Sequence, residues 1–317
     1  VPDAVSGTLL LVQALNGLQL GVLLFLVAAG LTLVFGVMDF INLAHGVQYM
    51  LGAYLGAHFA AACGDIWPTG SFWLALPLAL LGSLAIGLLL ELLVFRHLYA
   101  RDHLAQVLAT FGVILVLNQG VKAVWGTAPR ELPVPALLDG GVTIMPGLQY
   151  PVFRIAIIAA GLATAALLWF VVERTKAGML IRAGATNPRM VAALGIDIRR
   201  LFTLVFATGA MLAGFAGVMA APIFSVEPGM GDTVLILAFV VIVIGGIGSI
   251  RGAFIAALLV GLVDTLGRSL TPDLMRLFLD ASSARQAGAA LASMLVYVAM
   301  AAVLAFRPAG LFPVRGR

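Results

Sequence analysis

Apolar residues run in long stretches along most of this chain, and short polar intervals punctuate them. Nine apolar segments can be read, at about 9–36, 38–62, 72–95, 104–124, 152–172, 201–221, 232–249, 252–270 and 288–306. Their lengths cluster near the roughly 20 residues that a helix needs to cross a bilayer. They are continuously apolar and do not alternate, which excludes a β-barrel, and in lipid such runs satisfy their backbone only as helices. Segments one and two, and seven and eight, are divided by very short breaks, so one member of each pair is a candidate broken or re-entrant helix. The pattern predicts an all-α polytopic membrane protein with about eight to nine transmembrane helices, forming a single transmembrane domain over residues 1–317.

The longest polar interval, 173–200, reads ERTKAGMLIRAGATNPRMVAALGIDIRR. It holds Arg174, Lys176, Arg182, Arg189, Arg199 and Arg200 against Glu173 and Asp197. Within it a short helix is written with both ends. Asn187 suits an N-cap, Pro188 suits the first helical position, where a missing N–H costs nothing, and Gly195 suits the left-handed residue that closes a helix. A compact helix over Pro188–Leu194 is predicted.

Composition agrees with the pattern. Of 317 residues, 62% are hydrophobic and only 10% charged, against about a quarter charged in a soluble domain. The net charge of +4 reflects basic loops and is not a signature of nucleic-acid binding. Cys63 is the only cysteine, which excludes an internal disulfide or a cysteine-built metal cluster. No basic start precedes the first apolar run, so no cleavable signal peptide is expected.

Charge also sets the orientation. With the N-terminus outside and nine crossings, the inner loops hold Arg96, Arg101, the six basic residues of 173–200, Arg251, Arg307, Arg315 and Arg317. The outer side keeps Lys122, Arg130, Arg154, Arg268, Arg276 and Arg285. That excess is in the direction the positive-inside rule requires. The 173–200 loop is therefore expected in the cytoplasm, with 125–151 and 222–231 outside. The mixed charges of 271–287 suggest a short amphipathic helix lying on the outer surface.

The second segment carries the most polar intramembrane stretch. If it is helical throughout, Asp39, Asn42, His45 and Tyr49, with Gln48 beside them, form one polar stripe. Polar groups at this depth are expensive in lipid, so the stripe should face protein or a water-filled path. It either lines a translocation path or forms a structural network, with Asp39 at the inner water interface and His45 bonded to a neighbouring backbone. His45 has no second ligand at metal spacing, so no metal site is expected. Gly52 and Gly56 form a small-residue surface that allows another helix to approach.

A second interruption, Ile244–Gly252, holds Gly245, Gly246, Gly248 and Gly252. It lacks the Gly-Lys-Ser/Thr ending of a phosphate-binding loop and the preceding strand of a dinucleotide fingerprint. A tight turn or a hinge is expected. Glu91 and Asp264, near helix ends, read as interfacial ion-pair residues, and Glu227 and Asp232 as solvated. Nothing in the residue pattern supports hydrolytic chemistry, so no catalytic residues are expected. Paired interruptions in the two halves, within 20–62 and 232–270, are a pointer to a transport site.

Several ordered motifs carry a family resemblance: Gly30–Gly36, Ile41–Gly46 with Met50–Tyr54, Arg182 through Asn187-Pro188, Ala193–Ile196, Ile244–Ser249 and Arg307–Phe312. From about residue 10 onward the chain resembles the H-type membrane permease subunit of bacterial branched-chain amino-acid ABC importers. The resemblance implies a multi-pass subunit of the bacterial inner membrane. Its partners would be a second permease, two cytoplasmic ATP-binding subunits, a periplasmic solute-binding protein and membrane lipid. ATP and magnesium would sit on the partners, with no cofactor in this chain. It also implies that the short cytoplasmic helix docks on an ATPase. Asn187, Pro188, Met190, Ala192, Ala193, Leu194 and Gly195 would be the coupling residues. The competing readings are an ion-coupled secondary transporter using Asp39 and His45, a passive channel, and a permease of the same family for urea or short amides.

Overall fold

The computed structural model describes residues 7–64, 67, 70–145 and 148–313. Arg315 and Arg317, counted above on the inner side, lie outside the described residues. The nine predicted segments appear as α1 (Gly7–Met38), α2 (His45–Gly64), α3 (Ser71–Leu93), α4 (His103–Trp125), α5 (Val152–Arg174), α8 (Ile198–Ala220), α9 (Met230–Gly245), α10 (Ile250–Met275) and α11 (Ala281–Phe306). Two shorter helices, α6 (Lys176–Thr186) and α7 (Pro188–Ala193), lie in the polar interval. Among the described residues, 7 helices are long and apolar enough to cross a membrane. The other two long elements are α2, which opens on polar residues, and α9, whose 16 residues span only about 24 Å.

α1 is the central element. Its middle is almost wholly buried, from Val22 to Leu31, because α5, α8, α9 and α10 all pack against it. α1 and α10 cross closely where Gly17 and Gly21 meet Gly261 and Ala257. On the other side α2 runs alongside α8: Gly52 lies against Gly214 and Gly56 against Val218. Without side chains at these points the backbones approach and gain dispersion contacts that lipid cannot supply. α11 buries only Ala284, Gly288, Ala292 and Val296, a stripe at spacing four that packs on α10. Beyond the polar first turns its other faces are mostly apolar and exposed or half-exposed, as a lipid-facing helix requires.

The loop after α4 carries a hairpin, β1 (Gly141–Met145) with β2 (Leu148–Pro151), paired antiparallel. Arg130 and Val226 exchange both backbone hydrogen bonds at 2.9 Å, which joins this loop to the one after α8. The hairpin and the start of α5 are both tied to α1 through Asn16 Oδ1, which accepts from the Tyr150 hydroxyl at 3.2 Å and from Arg154 at 2.6 Å. Burial pushes the Tyr150 phenol above its ordinary range.

Three expectations are corrected. Residues 39–44 are not helical: α1 ends where Asp39 takes φ 52°, a left-handed conformation that a short polar side chain tolerates. The polar interval holds a second helix, α6, whose first turn is capped by Thr175 accepting from the Gly178 N–H. The interval 271–287 is not a separate surface helix. α10 runs through Pro272 to Met275, and α11 starts at once because Asp280 accepts from the N–H groups of Ser282 and Ser283. The Ser282 hydroxyl, which also donates to Asp280, and then these N–H groups hold the Asp280 carboxyl well below the usual range.

Candidate functional site

The break between α1 and α2 is a return path. His45, the first residue of α2, donates from Nε2 to the Val27 carbonyl at 3.0 Å. Val27 lies about 16 Å of helix before the end of α1 at a 1.5 Å rise. The six residues Asp39–Ala44 therefore double back along α1 into the interior, and α2 begins deep inside the bundle. The start of α9 is brought to the same place: a Cβ on Gly46 would meet the Gly231 carbonyl at 2.4 Å, and Gly229 N–H reaches Met50 Sδ at 3.3 Å. Two helix N-termini thus meet inside the fold, with their backbones in contact at Gly46 and Gly231.

This geometry separates the residues of the expected stripe. Asp39 is exposed at the inner end of α1. Asn42 and His45 are at 0% exposure and Gln48 and Tyr49 are almost as deeply buried. They do not form one helix face, because the three-residue spacing from Asp39 to His45 runs through non-helical backbone. His45 is bonded to a neighbouring backbone, as the structural alternative expects. Since Val27 offers a carbonyl, Nε2 carries the proton and Nδ1 is the acceptor. Among the described residues, His45 Nδ1 and both amide atoms of Asn42 and of Gln48 have no hydrogen-bond partner. Unmet polar atoms at this depth cost about 1–3 kcal/mol each, and they are concentrated here.

The second interruption is built differently. Gly245 closes α9, Gly246 and Gly248 take φ of 99° and 82°, and Ser249 caps α10 by accepting from Gly252 N–H at 3.0 Å. Gly245 and Gly252 touch through backbone, where a Cβ on Gly245 would meet the Gly252 carbonyl carbon at 2.5 Å. The chain's tail completes the turn. Leu311 N–H donates to the Ile244 carbonyl at 2.8 Å and Phe312 N–H to Gly245 at 3.0 Å. The end of α9 is thus capped by residues from beyond α11.

α7 carries both predicted ends. Asn187 Oδ1 accepts from Met190 N–H at 3.0 Å, and Pro188 opens the helix. Gly195, at φ 85°, donates to the Ala192 carbonyl while Ile196 N–H donates to Val191, a Schellman closure. Val191 is buried and anchors the helix. Asn187, Pro188, Met190, Ala192, Ala193, Leu194 and Gly195 are all exposed. Met190 and Leu194 stand one turn apart as an uncovered apolar pair.

Two buried groups support this arrangement, and of these the sequence signals only Glu91. Gln106, at 2% exposure, accepts from Ile41 N–H at 3.2 Å and donates to the Leu98 and Arg101 carbonyls. It holds the re-entrant stretch against the α3–α4 connection. Nothing in one glutamine near a helix start signals this. Glu91, at 1% exposure, pairs with Arg96 and accepts from the Tyr99 and Thr203 hydroxyls at 3.2 and 2.9 Å, clamping α3 to α8. Burial, then the neighbouring Glu91, raises the Tyr99 phenol. Asp264 pairs with Arg268 through two bonds of 2.9 Å. The ion-pair reading of both acids holds, and Glu227 and Asp232 are exposed.

A bundle of long apolar helices, with two helix starts buried at its centre and a capped helix projecting from its basic side, defines a multi-pass membrane protein of the transport type. The family described as "Branched-chain amino acid transport system / permease component" matches residues 13–304, and the chain belongs to that family. It is 31% identical over 270 residues to the high-affinity branched-chain amino acid transport system permease protein BraD of Pseudomonas aeruginosa, covering 82% of this chain and 87% of the relative. It is 30% identical over 271 residues to LivH of Escherichia coli, covering 80% and 84%. A more distant relative is the ribose import permease protein RbsC of Haemophilus influenzae, 23% identical over 236 residues, covering 72% of this chain and 70% of the relative. No solved structure matches.

Proposed function

We propose that this chain is a translocation subunit of an ABC importer in the bacterial inner membrane and that it carries branched-chain amino acids. It contains no ATP site of its own. Its partners are a second permease, two cytoplasmic ATPases that hold ATP and magnesium, and a periplasmic solute-binding protein. The observation that carries this reading is α7: a helix capped at both ends, anchored by Val191, and presenting Met190 and Leu194 uncovered beside a cluster of arginines. A helix that exposes apolar residues while its own ends are satisfied is a docking element. ATP binding would draw two such docking sites together, and α6 and α7 would pass that motion to α8 and α5.

Asn42, His45, Gln48 and Tyr49 then act as a gate rather than a wall. In this conformation they are closed inside the chain, and the meeting of Gly46 with Gly231 is the contact that must part. Gly245–Gly252 is the second moving element, and its close backbone contact makes it a hinge between α9 and α10. Asp39 is exposed and His45 buried, on no common helix face, which counts against the ion-coupled alternative that uses both.

Reconstitution tests the whole reading. The chain should co-purify with two ATPases, and uptake of leucine, isoleucine or valine should require the binding protein and stop with vanadate. Uncoupler-sensitive uptake without any ATPase would refute it. At residue level, Asn42→Leu should leave thermal stability equal or higher, because it removes unpartnered buried polar atoms. Uptake should fall roughly tenfold, the scale of one polar contact of about 1.4 kcal/mol. Unchanged uptake would make Asn42 purely structural.

A further inference from the structure

A cavity of about 480 Å³ lies at the inner ends of α1 and α5, beneath α6 and beside the Gly246–Ser249 turn. Its walls are apolar, from Leu33, Val37, Trp169, Ile181 and Ile247. Its charges gather at one side. Arg251 pairs with Glu173 at 3.2 Å, and Arg182 donates to the Val172 carbonyl at the end of α5. Arg174 stacks 5.6 Å above the Trp169 ring. Arg182 and Arg251 line the cavity against the single carboxylate of Glu173, which Arg251 already pairs. At the buried end stands Thr32, 1% exposed, whose hydroxyl has no hydrogen-bond partner among the described residues.

Two properties specify the occupant. The excess of arginine calls for a negative group that can accept several N–H bonds at once, as phosphate oxygens do. The apolar walls call for a hydrocarbon chain attached to it. Trp169 also continues into the exposed apolar face of α5 at Leu167 and Phe170, so the pocket is continuous with the surface that meets lipid tails. Its depth is that of the membrane boundary, where α5 ends on Glu173 and Arg174 and basic loop residues begin. Basic pockets between helices on the cytoplasmic side are suited to anionic headgroups.

We propose that this cavity is a binding site for one anionic phospholipid of the inner leaflet. The headgroup phosphate sits on Arg182 and Arg251, and the upper acyl chain lies along Val37, Trp169 and Ile247. The site is assembled from the inner end of α1, the end of α5, α6 and the glycine turn. A bound lipid therefore ties the stretch leading to α7 directly to the hinge. The proposal uses the arginine-based orientation and is independent of the solute carried.

The test is native mass spectrometry of the purified full chain in mild detergent, with phosphatidylglycerol, phosphatidylethanolamine or phosphatidylcholine added at equal concentration. One tightly held phosphatidylglycerol per chain is expected, in preference to both other lipids. Arg182→Gln and Arg251→Gln should each lower its retention about fivefold, from roughly 1 kcal/mol per surface arginine on an anionic lipid. Equal retention of phosphatidylcholine or phosphatidylethanolamine would overturn the proposal, as would arginine variants that hold the lipid unchanged. Displacement of phosphatidylglycerol by millimolar inorganic phosphate or leucine would assign the pocket to a soluble ligand and overturn it equally. The lipid preference of the unaltered chain decides the matter even if a variant fails to fold.

Discussion

Ala193→Arg should abolish coupled uptake while leaving the membrane fold intact. Ala193 is exposed at the end of α7, so a long cationic side chain meets nothing within the chain. It would stand where, in the proposed docking, a partner groove closes on Met190 and Leu194. A central interface position is worth about 2 kcal/mol or more, some thirtyfold in affinity. In proteoliposomes holding all subunits, uptake should fall by at least about that factor. ATP hydrolysis should no longer respond to the loaded binding protein. Gly195→Pro should act alike by a different route. Proline fixes φ near −65°, whereas Gly195 sits at 85° and donates a hydrogen bond that proline lacks. Normal uptake with both variants would rule out docking through α7.

Gly52→Val should destabilise the fold strongly. A Cβ at Gly52 would lie 2.3 Å from both the Cα and the carbonyl oxygen of Gly214. Both obstacles are backbone, so no rotamer relieves the clash and α2 must move away from α8. Overpacking in a tight core costs about 1–3 kcal/mol and sometimes more, and this site belongs at the upper end. The measurement is the thermal midpoint of the detergent-purified chain, with Gly112→Val as the control. Nothing lies within 4 Å of a Cβ at Gly112, so the control should keep its midpoint. Equal midpoints would show that the α2–α8 crossing is looser than the structure has it.

What was legible from sequence depended on whether the signal was local. The ends of α7 could be read because Asn187-Pro188 and Gly195 act within one turn of their own backbone. The long helices could be read because twenty apolar residues have one solution in lipid. The path of residues 39–44 could not. Its course depends on one left-handed aspartate and on contacts with Gln106 and Val27, from α4 and from the middle of α1. A helical continuation looked equally good locally, and it placed Asp39 and His45 on one face when they lie at different depths. α6 was hidden by the charges around it. The 271–287 interval misled because its mixed charges suggest a separate surface helix, whereas α10 runs on through Pro272 to Met275 and α11 starts at Ala281.

The contact between the tail and the glycine turn has a consequence for how the protein is made. The carbonyls of Ile244 and Gly245 receive their donors from Leu311 and Phe312. Those residues leave the ribosome only after α10 and α11 have been synthesised. The turn between α9 and α10 therefore stays unfinished through the insertion of two further helices. A chain that stalled short of Leu311 would carry the Ile244 and Gly245 carbonyls without these donors.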